Sequence, residues 1–285
     1  MKAYFINDLH IDQWVKTQSQ VGFSNTAQYK KLLEKWCLPA DVLCIAGDVA
    51  SSVNAIYATF SVLSQMYDHI FYIYGNHEMR LTQEDRNRGL TTYTKRDRIE
   101  QFLETATLNK RTRVDMLSIL KGSSFHWQGL RVSGGTCYSD GVDSRDPSTL
   151  EERWRETRDA REFELGWATS MAEISEYENG AVDRVTEAEP TTKIVMTHFA
   201  PIQLIKKSEN LEKKGLDYGL SAFDGSSILQ NLKSGTIWHF GHLHDKILEE
   251  VDIDGKTILA VNNSVGTKEK PPLHDIPKSE FLMNI

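Results

Sequence analysis

Cysteine is scarce in this 285-residue chain, which has only Cys37, Cys44 and Cys137, in neither paired nor zinc-ligand spacing. That argues against a disulfide framework and a structural zinc site, and for reduced thiols in a cytosolic protein. Long apolar runs are missing too, and none approaches the roughly 20 residues of a membrane span. Basic charge is in deficit: 33 Lys and Arg stand against 40 Asp and Glu, a net charge of -7. Such a surface gains nothing from nucleic-acid phosphates without a local basic patch. The chain runs from Met1 to Ile6 straight into a polar motif, leaving no room for a signal peptide, so a cytoplasmic location is expected. Internal repeats and low-complexity tracts are also lacking. With 40% hydrophobic and 26% charged residues, the composition suits one large soluble domain, or two small ones, with ample core.

What is present is a series of buried strands, each ending in a polar loop. Ala3 to Ile6 reads as the first strand, followed by Asn7-Asp8-Leu9-His10. Tyr29, Leu32, Leu33 and Trp36 form a helical stripe, and Asp41 to Ala46 is a second strand, ending at Gly47-Asp48. A helix from about Ser52 to Met66 leads into Ile70-Phe71-Tyr72-Ile73-Tyr74, which delivers Gly75-Asn76-His77-Glu78. Strand, helix, strand, helix, strand is the pattern of a parallel α/β sheet. Short strands at 193–196 and 237–240 deliver Thr197-His198 and Gly241-His242-Leu243-His244. Hairpins are expected at Phe125 to Ser133, turning at Gln128-Gly129, and at Leu248 to Val261, turning at Asp254-Gly255. The charged segment after Arg80 reads as a solvated helix around Lys95 to Ala106, or as the rim of a site. In the charged stretch 151–178, Phe163, Trp167, Met171, Ile174 and Tyr177 mark one buried face. The tail from Lys268 is expected to wrap the surface.

Five strand ends therefore carry Asp8 and His10, Asp48, Asn76 and His77, His198, then His242 and His244. Ligands at the carboxyl ends of strands in an open α/β sheet converge on one crevice. Imidazoles and carboxylates without thiolate suit borderline divalent ions such as Mn²⁺, Fe²⁺ or Zn²⁺. Asp-X-His and His-X-His place alternate residues of an extended segment on one side. Seven metal-binding side chains, leaving out His77, are too many for one tetrahedral ion and suit two ions that share a carboxylate. Each piece alone is an ordinary polar turn or loop histidine; the ordered set of five is specific.

The ordered set resembles the calcineurin-like metallophosphoesterases, whose pattern is D-x-H, G-D, G-N-H-[DE], H, G-H-x-H, over residues 1 to about 266. The resemblance implies a four-layer αββα sandwich of two mixed β-sheets flanked by helices, in a single domain over 1–285 with a charged helical insertion at about 148–180. It implies a first metal on Asp8, His10, Asp48 and His244, and a second on Asp48, Asn76, His198 and His242, with Asp48 bridging. His77 would contact the substrate phosphate and protonate the leaving oxygen. Mn²⁺ is the expected ion, with Fe, Zn, Ni or Mg as alternatives, and a water between the ions is the expected nucleophile.

One departure bears on the substrate. The protein phosphatases of this superfamily extend the second motif to G-D-x-V-D-R-G, whereas here it reads Gly47-Asp48-Val49-Ala50-Ser51-Ser52. The Asp that would orient the histidine and the Arg that would clamp phosphate are absent, although Arg80 or Arg145 could take the clamp's place. The expected activity is hydrolysis of small phosphoesters, diesters favoured, with nucleic acid not expected except as a small nucleotide. A phosphomonoesterase using the same site and a non-catalytic scaffold of the same fold are the alternatives. A scaffold predicts eroded ligands, which this chain does not have. A nuclease needs basic stripes, and the charge here is acidic. Glu78 reads either as a group that orients its neighbours or, the favoured reading, as a cap on the following segment, and His239 and Asn262-Asn263 read as neighbours of the cleft. His69, His126 and His274 read as fillers.

Overall fold

The computed structural model describes residues 1–15, 26–108, 116–142, 146–163, 170–208, 218–267, 272 and 275–285. Two large mixed sheets form its centre. The first contains β1 (Lys2–Ile6), β2 (Val42–Ala46), β3 (His69–Ile73) and β4 (Leu117–Ile119), all parallel. β2 and β3 are buried along their whole length, which is why they read as continuous apolar runs rather than alternating ones. The second sheet contains β5 (Ser123–Trp127), β6 (Leu130–Gly135) and β7 (Ile194–Thr197). A two-stranded pair, β8 (Ala200–Pro201) and β9 (Ala222–Phe223), stands apart. β10 (Thr236–Phe240), β11 (Lys246–Ile253) and β12 (Lys256–Asn263) complete the second sheet, in the order β11-β12-β10-β7-β6-β5. The last strand, β13 (Leu282–Asn284), adds antiparallel to the free edge of β1.

The sheets stack with β1 against β12 and β3 against β6. Asn7 and Ser264 form a parallel bridge between them just beyond the ends of β1 and β12. Fully buried Tyr4, Phe5, Phe71 and Tyr72 belong to the shared core, and each large apolar side chain removed from water contributes about 1.5–3 kcal/mol. Helices Thr26–Trp36, Val53–Leu63 and Thr92–Leu108 pack in succession outside the first sheet. Helix Met171–Ala188 covers β5 and β6 and packs on helix Ser226–Asn231. Helices therefore flank both sheets, as expected. Among the described residues no helix is long and apolar enough to cross a membrane.

Both expected hairpins form with positive φ at both turn residues, Gln128 and Gly129 at 46° and 86°, Asp254 and Gly255 at 53° and 78°. That is the backbone of a type I′ turn, whose twist matches the strands it joins. The charged stretch 151–178 differs from its expectation. It breaks into helices Leu150–Arg155, Arg158–Glu162 and the start of Met171–Ala188. Phe163, Met171 and Ile174 are buried, but Tyr177 is 58% exposed, so the residues do not share one face; Trp167 lies outside the described residues. Glu178 and Val182 take the inward positions that Tyr177 leaves. Helix Thr92–Leu108 is not merely solvated either, because Thr92, Lys95, Arg96, Ile99 and Leu103 form a buried stripe along it. The tail does not simply lie on the surface, since its end becomes β13; residues 268–271, 273 and 274 lie outside the described set.

Candidate metal centre

Every motif residue stands just past the carboxyl end of a central strand. The loops turn sharply there: Asp8, His10, Asp48, His242 and His244 all have positive φ, between 40° and 66°. Non-glycine residues adopt that region rarely, and when they do the surrounding contacts have to hold them. The holding contacts are visible. The Asp8 N–H donates to Gly47 O at 3.1 Å and the His10 N–H to Asp48 O at 3.0 Å. The His242 N–H donates to Asp8 Oδ1 at 3.0 Å, and the His77 N–H to Asp48 Oδ1 at 2.8 Å. Gly75 has no room for a side chain, because a Cβ there would lie 2.2 Å from Asp48 Oδ1.

Glu78 is the frame of this loop pair. Its Oε2 accepts from the N–H groups of Gly75 (2.7 Å) and Asp48 (3.0 Å), and its Oε1 from Val49 (2.6 Å) and Ala50 (3.3 Å). A fully buried Lys95 adds a second clasp, donating to the carbonyls of Ser51 and Arg80 while its ammonium faces Asp85 at 3.2 Å. Helix Thr92–Leu108 thus supports the site from behind.

Asp8, His10, Asp48 and His244 come together so that one ligand atom from each lies within 4.8 Å of the others. The Nε2 atoms of His10 and His244 are 2.9 Å apart, and Asp48 Oδ2 is 3.7 Å from His10 Nε2. The other Asp48 oxygen faces the opposite way, with Oδ1 3.4 Å from His198 Nε2. His198 Nε2 in turn lies 2.9 Å from Asn76 Oδ1. Its Nδ1 donates to Ala46 O at 2.9 Å, so the tautomer leaves a lone pair on Nε2. The His242 ring lies 5.3 Å from the His198 ring, stacked on Phe199. His77 sits against His10, ring centroids 4.4 Å apart, with Nε2 3.8 Å from Asp48 Oδ2. His242 and His244 are half-buried and the other motif side chains buried, so the cleft opens beside the Gly241 to His244 loop.

The electrostatics fit a cation site. Burial, reinforced by the charges of Glu78 and Asp8, pushes Asp48 well above the usual carboxylate range. Burial works against the Asp8 charge as well, but His244, His198, His10 and the Asn7 amide outweigh it and bring Asp8 down to about 2. Burial, with the neighbouring imidazoles, drops His10 to about 3, and burial drops His242 to about 3. Buried neutral imidazoles beside crowded carboxylates offer lone pairs and negative charge that a divalent ion would satisfy. The donor set contains nitrogen and oxygen and no sulfur, as borderline divalent ions prefer.

Supporting residues surround the cluster, and of these Ser51, Asp159 and Asn7 lie outside the expected set. Ser51 Oγ is 3.1 Å from His77 Nδ1, the position that an aspartate would serve in the protein phosphatases. Arg80 Nη1 reaches His77 Nε2 and its Nε donates to Asp159 at 2.6 Å. Arg145 lies outside the described residues. Asp159, between Arg158 and Ala160 in the charged stretch, also accepts both bonds from Asn76 Nδ2, at 3.0 and 3.1 Å. Arg158 and Arg161 beside it are charged and exposed, so no local signal distinguishes it. Asn7 donates to Asp8 Oδ2 at 2.7 Å and to Asn262 Oδ1 at 2.9 Å, and accepts from the Asn263 N–H at 2.8 Å. His239 Nε2 lies 3.2 Å from Asn7 Oδ1, which puts it one residue behind the ligands. Of the filler histidines, His69 is buried against Phe125 and Trp127, His126 is exposed, and His274 lies outside the described residues.

Comparison with known proteins agrees with this geometry. The structure is similar to that of a phosphopantetheinyl hydrolase (PptH) from Mycobacterium tuberculosis, with TM-score 0.69 and 15% identity over 100% of this chain and 95% of that one. At that identity the likeness shows the fold alone. A sulfate thiohydrolase, SoxB, from Thermus thermophilus matches more distantly, with TM-score 0.39 and 10% identity over 92% of this chain and 51% of that one. No curated protein matches. The sequence profile named calcineurin-like phosphoesterase matches residues 1–246. The stacked mixed sheets, the Asp8, His10, Asp48 and His244 cluster and that match agree, and the chain belongs to the calcineurin-like phosphoesterase family.

Proposed function

We propose that this protein is a dinuclear metal-dependent hydrolase of small phosphoesters, with phosphodiesters favoured, working in the cytoplasm as one domain with an insertion at about 148–180. The observation that carries the reading is the convergence of Asp8, His10, Asp48 and His244 within 4.8 Å. Those four would hold one ion, and Asp48, Asn76, His198 and His242 the other, with Asp48 shared. Its two oxygens already face the two sets, Oδ2 toward His10 and Oδ1 toward His198. Mn²⁺ is the favoured ion. Two such cations, when bound, would supply an activated water and would neutralise phosphate oxygens during in-line displacement.

The chain's own part is to orient the ester and manage one proton. His77 faces the cluster from the side opposite the Ser51 hydroxyl that anchors its Nδ1. Its role is to give a proton to the departing alkoxide. Burial, His10 and Arg80 hold the imidazole well below its usual range. The proton is therefore one it takes up from the attacking water once the ester's negative charge favours the imidazolium. The preference for diesters rests on charge. A monoester dianion calls for an additional fixed cation, and the one arginine at His77 among the described residues, Arg80, has its charge paired with Asp159. A diester has a single negative charge on the reacting phosphate and a poor leaving group, so it depends on the ions and on His77.

The test is a matched pair of alkyl phosphoesters in the same Mn²⁺ buffer, followed by a panel of 2′,3′- and 3′,5′-cyclic nucleotides and a phosphopantetheinyl ester. Higher kcat/KM for the diester is expected. A higher value for the monoester overturns the preference and leaves a phosphatase with the same site.

A further inference from the structure

The charged insertion reaches the centre through one carboxylate. Asp159 is on helix Arg158–Glu162 and is 6% exposed. Three donors surround it with four hydrogen bonds. Asn76 Nδ2 donates to both of its oxygens at 3.0 and 3.1 Å, Arg80 Nε to Oδ1 at 2.6 Å and Tyr138 Oη to Oδ2 at 2.8 Å. Tyr138 is itself held by Trp154 Nε1 at 3.2 Å, and the Leu81 N–H donates to Glu162 O at 2.8 Å. The insertion is therefore fastened to the segment Asn76–Leu81 at several points.

The Asn76 contact matters most. An amide has a donor end and an acceptor end of nearly equal size, and only the acceptor end can bind a cation. A carboxylate accepts and never donates when ionised, so Asp159 can receive only the NH₂ end of Asn76. That leaves Asn76 Oδ1 on the other side, 2.9 Å from His198 Nε2, which is itself 3.4 Å from Asp48 Oδ1. The Asp159 carboxyl is held below its usual range; burial opposes this, and the Arg80 guanidinium and its hydrogen bonds with Asn76 and Tyr138 outweigh burial.

We infer that Asp159 is a positioning residue for the second metal ion: it selects the amide orientation in which Asn76 presents oxygen to the site shared by Asp48, His198 and His242. This inference rests on the dinuclear reading and adds to it a function for the insertion. The first ion set has no contact with Asp159, so the effect is confined to one of two ions.

The experiment measures Mn²⁺ stoichiometry and affinity by elemental analysis and titration calorimetry on full-length wild type, Asp159→Asn, Asn76→Ala and the double variant Asn76→Asp/Asp159→Asn. Cooperative melting is the check on folding. In Asp159→Asn the second Mn²⁺ should weaken by about 10–100-fold, the range for loss of a ligand's outer hydrogen-bond partner. The first Mn²⁺ should be unchanged, and Asn76→Ala should show the same defect. The double variant reverses the hydrogen bond, and its two equivalent carboxylate oxygens need no orienting, so it should regain the second ion. A merely structural carboxylate would lower both affinities or neither. The double variant also decides the matter if Asp159→Asn misfolds, since a folded double variant that binds one ion overturns the inference. So does Asp159→Asn with two ions bound at wild-type affinity. Wild type that binds fewer than two Mn²⁺ takes down the dinuclear reading itself.

Discussion

Glu78 Oε1 accepts the Val49 backbone N–H at 2.6 Å, joining the loop after β3 to the loop after β2. With Gly75, Asp48 and Ala50, four backbone donors converge on one buried carboxylate. Glu78→Ala strands those donors and should cost at least about 3 kcal/mol, because each buried unsatisfied N–H is expensive. Glu78→Gln should be little better, since its NH₂ would face two donors. Thermal or urea unfolding of metal-free protein measures both, and near wild-type stability in Glu78→Gln would contradict the account.

Asp48 is expected to be the least replaceable ligand. Its two oxygens face His10 and His198 at 3.7 and 3.4 Å, and removing it would leave two cations repelling at close range. Asp48→Ala should lose metal and turnover together, more severely than His10→Ala. A chelator should abolish turnover in wild type and Mn²⁺ restore it. Two metals still bound in Asp48→Ala, by elemental analysis, would refute the sharing.

For His77, the prediction separates binding from chemistry. His77→Ala should keep both metals and lose most diesterase turnover. The loss should be smallest on nitrophenyl esters, whose leaving groups need no proton. Ser51→Ala, which removes the contact to His77 Nδ1 at 3.1 Å, should lower kcat by about tenfold with KM nearly unchanged. An equal loss on all leaving groups in His77→Ala would rule out proton donation.

Stability should depend on pH through His239, which burial drops from 6.5 to about 3. Below 6.5 the unfolded chain takes up a proton that the folded chain refuses, so stability falls as pH drops from 6.5 toward 3. At pH 5.5 this residue alone should cost about 1.4 kcal/mol, against almost nothing at pH 7.5. His239→Gln should lack that part of the loss. Urea midpoints of the chelated proteins at both pH values give the difference, and identical losses would show that folded His239 is protonated normally.

Strands and ligands were legible because their signals are local. Val42 to Ala46 is an unbroken apolar run, and Gly47-Asp48 follows it directly. The turn pairs Gln128-Gly129 and Asp254-Gly255 sit between strand-forming segments and adopt the backbone those residues tolerate. The charge of Lys95 and Arg96 suggests a solvated helix or the rim of a site, because charge normally stays in water. In the fold, Arg96 meets Glu178 at 2.6 Å and lies 4.9 Å from the Tyr74 ring centroid, partners that no window of sequence contains. Spacing alone puts Tyr177 inside, yet with the helix beginning at Met171 its inward face runs through Ile174, Glu178 and Val182.

The sequence by itself determined which side chains could bind a cation and that they stand at strand ends, since a buried run followed by a polar turn is written in neighbouring residues. Only the tertiary structure decided how they are aimed. Asn76 and Asp159 are 83 positions apart, and Asp48 and His198 approach only because β2 and β7 lie in different sheets whose ends meet. Hydrogen-bond direction depends on what packs against an amide or imidazole, and those neighbours come from chain segments brought close by burial of the core.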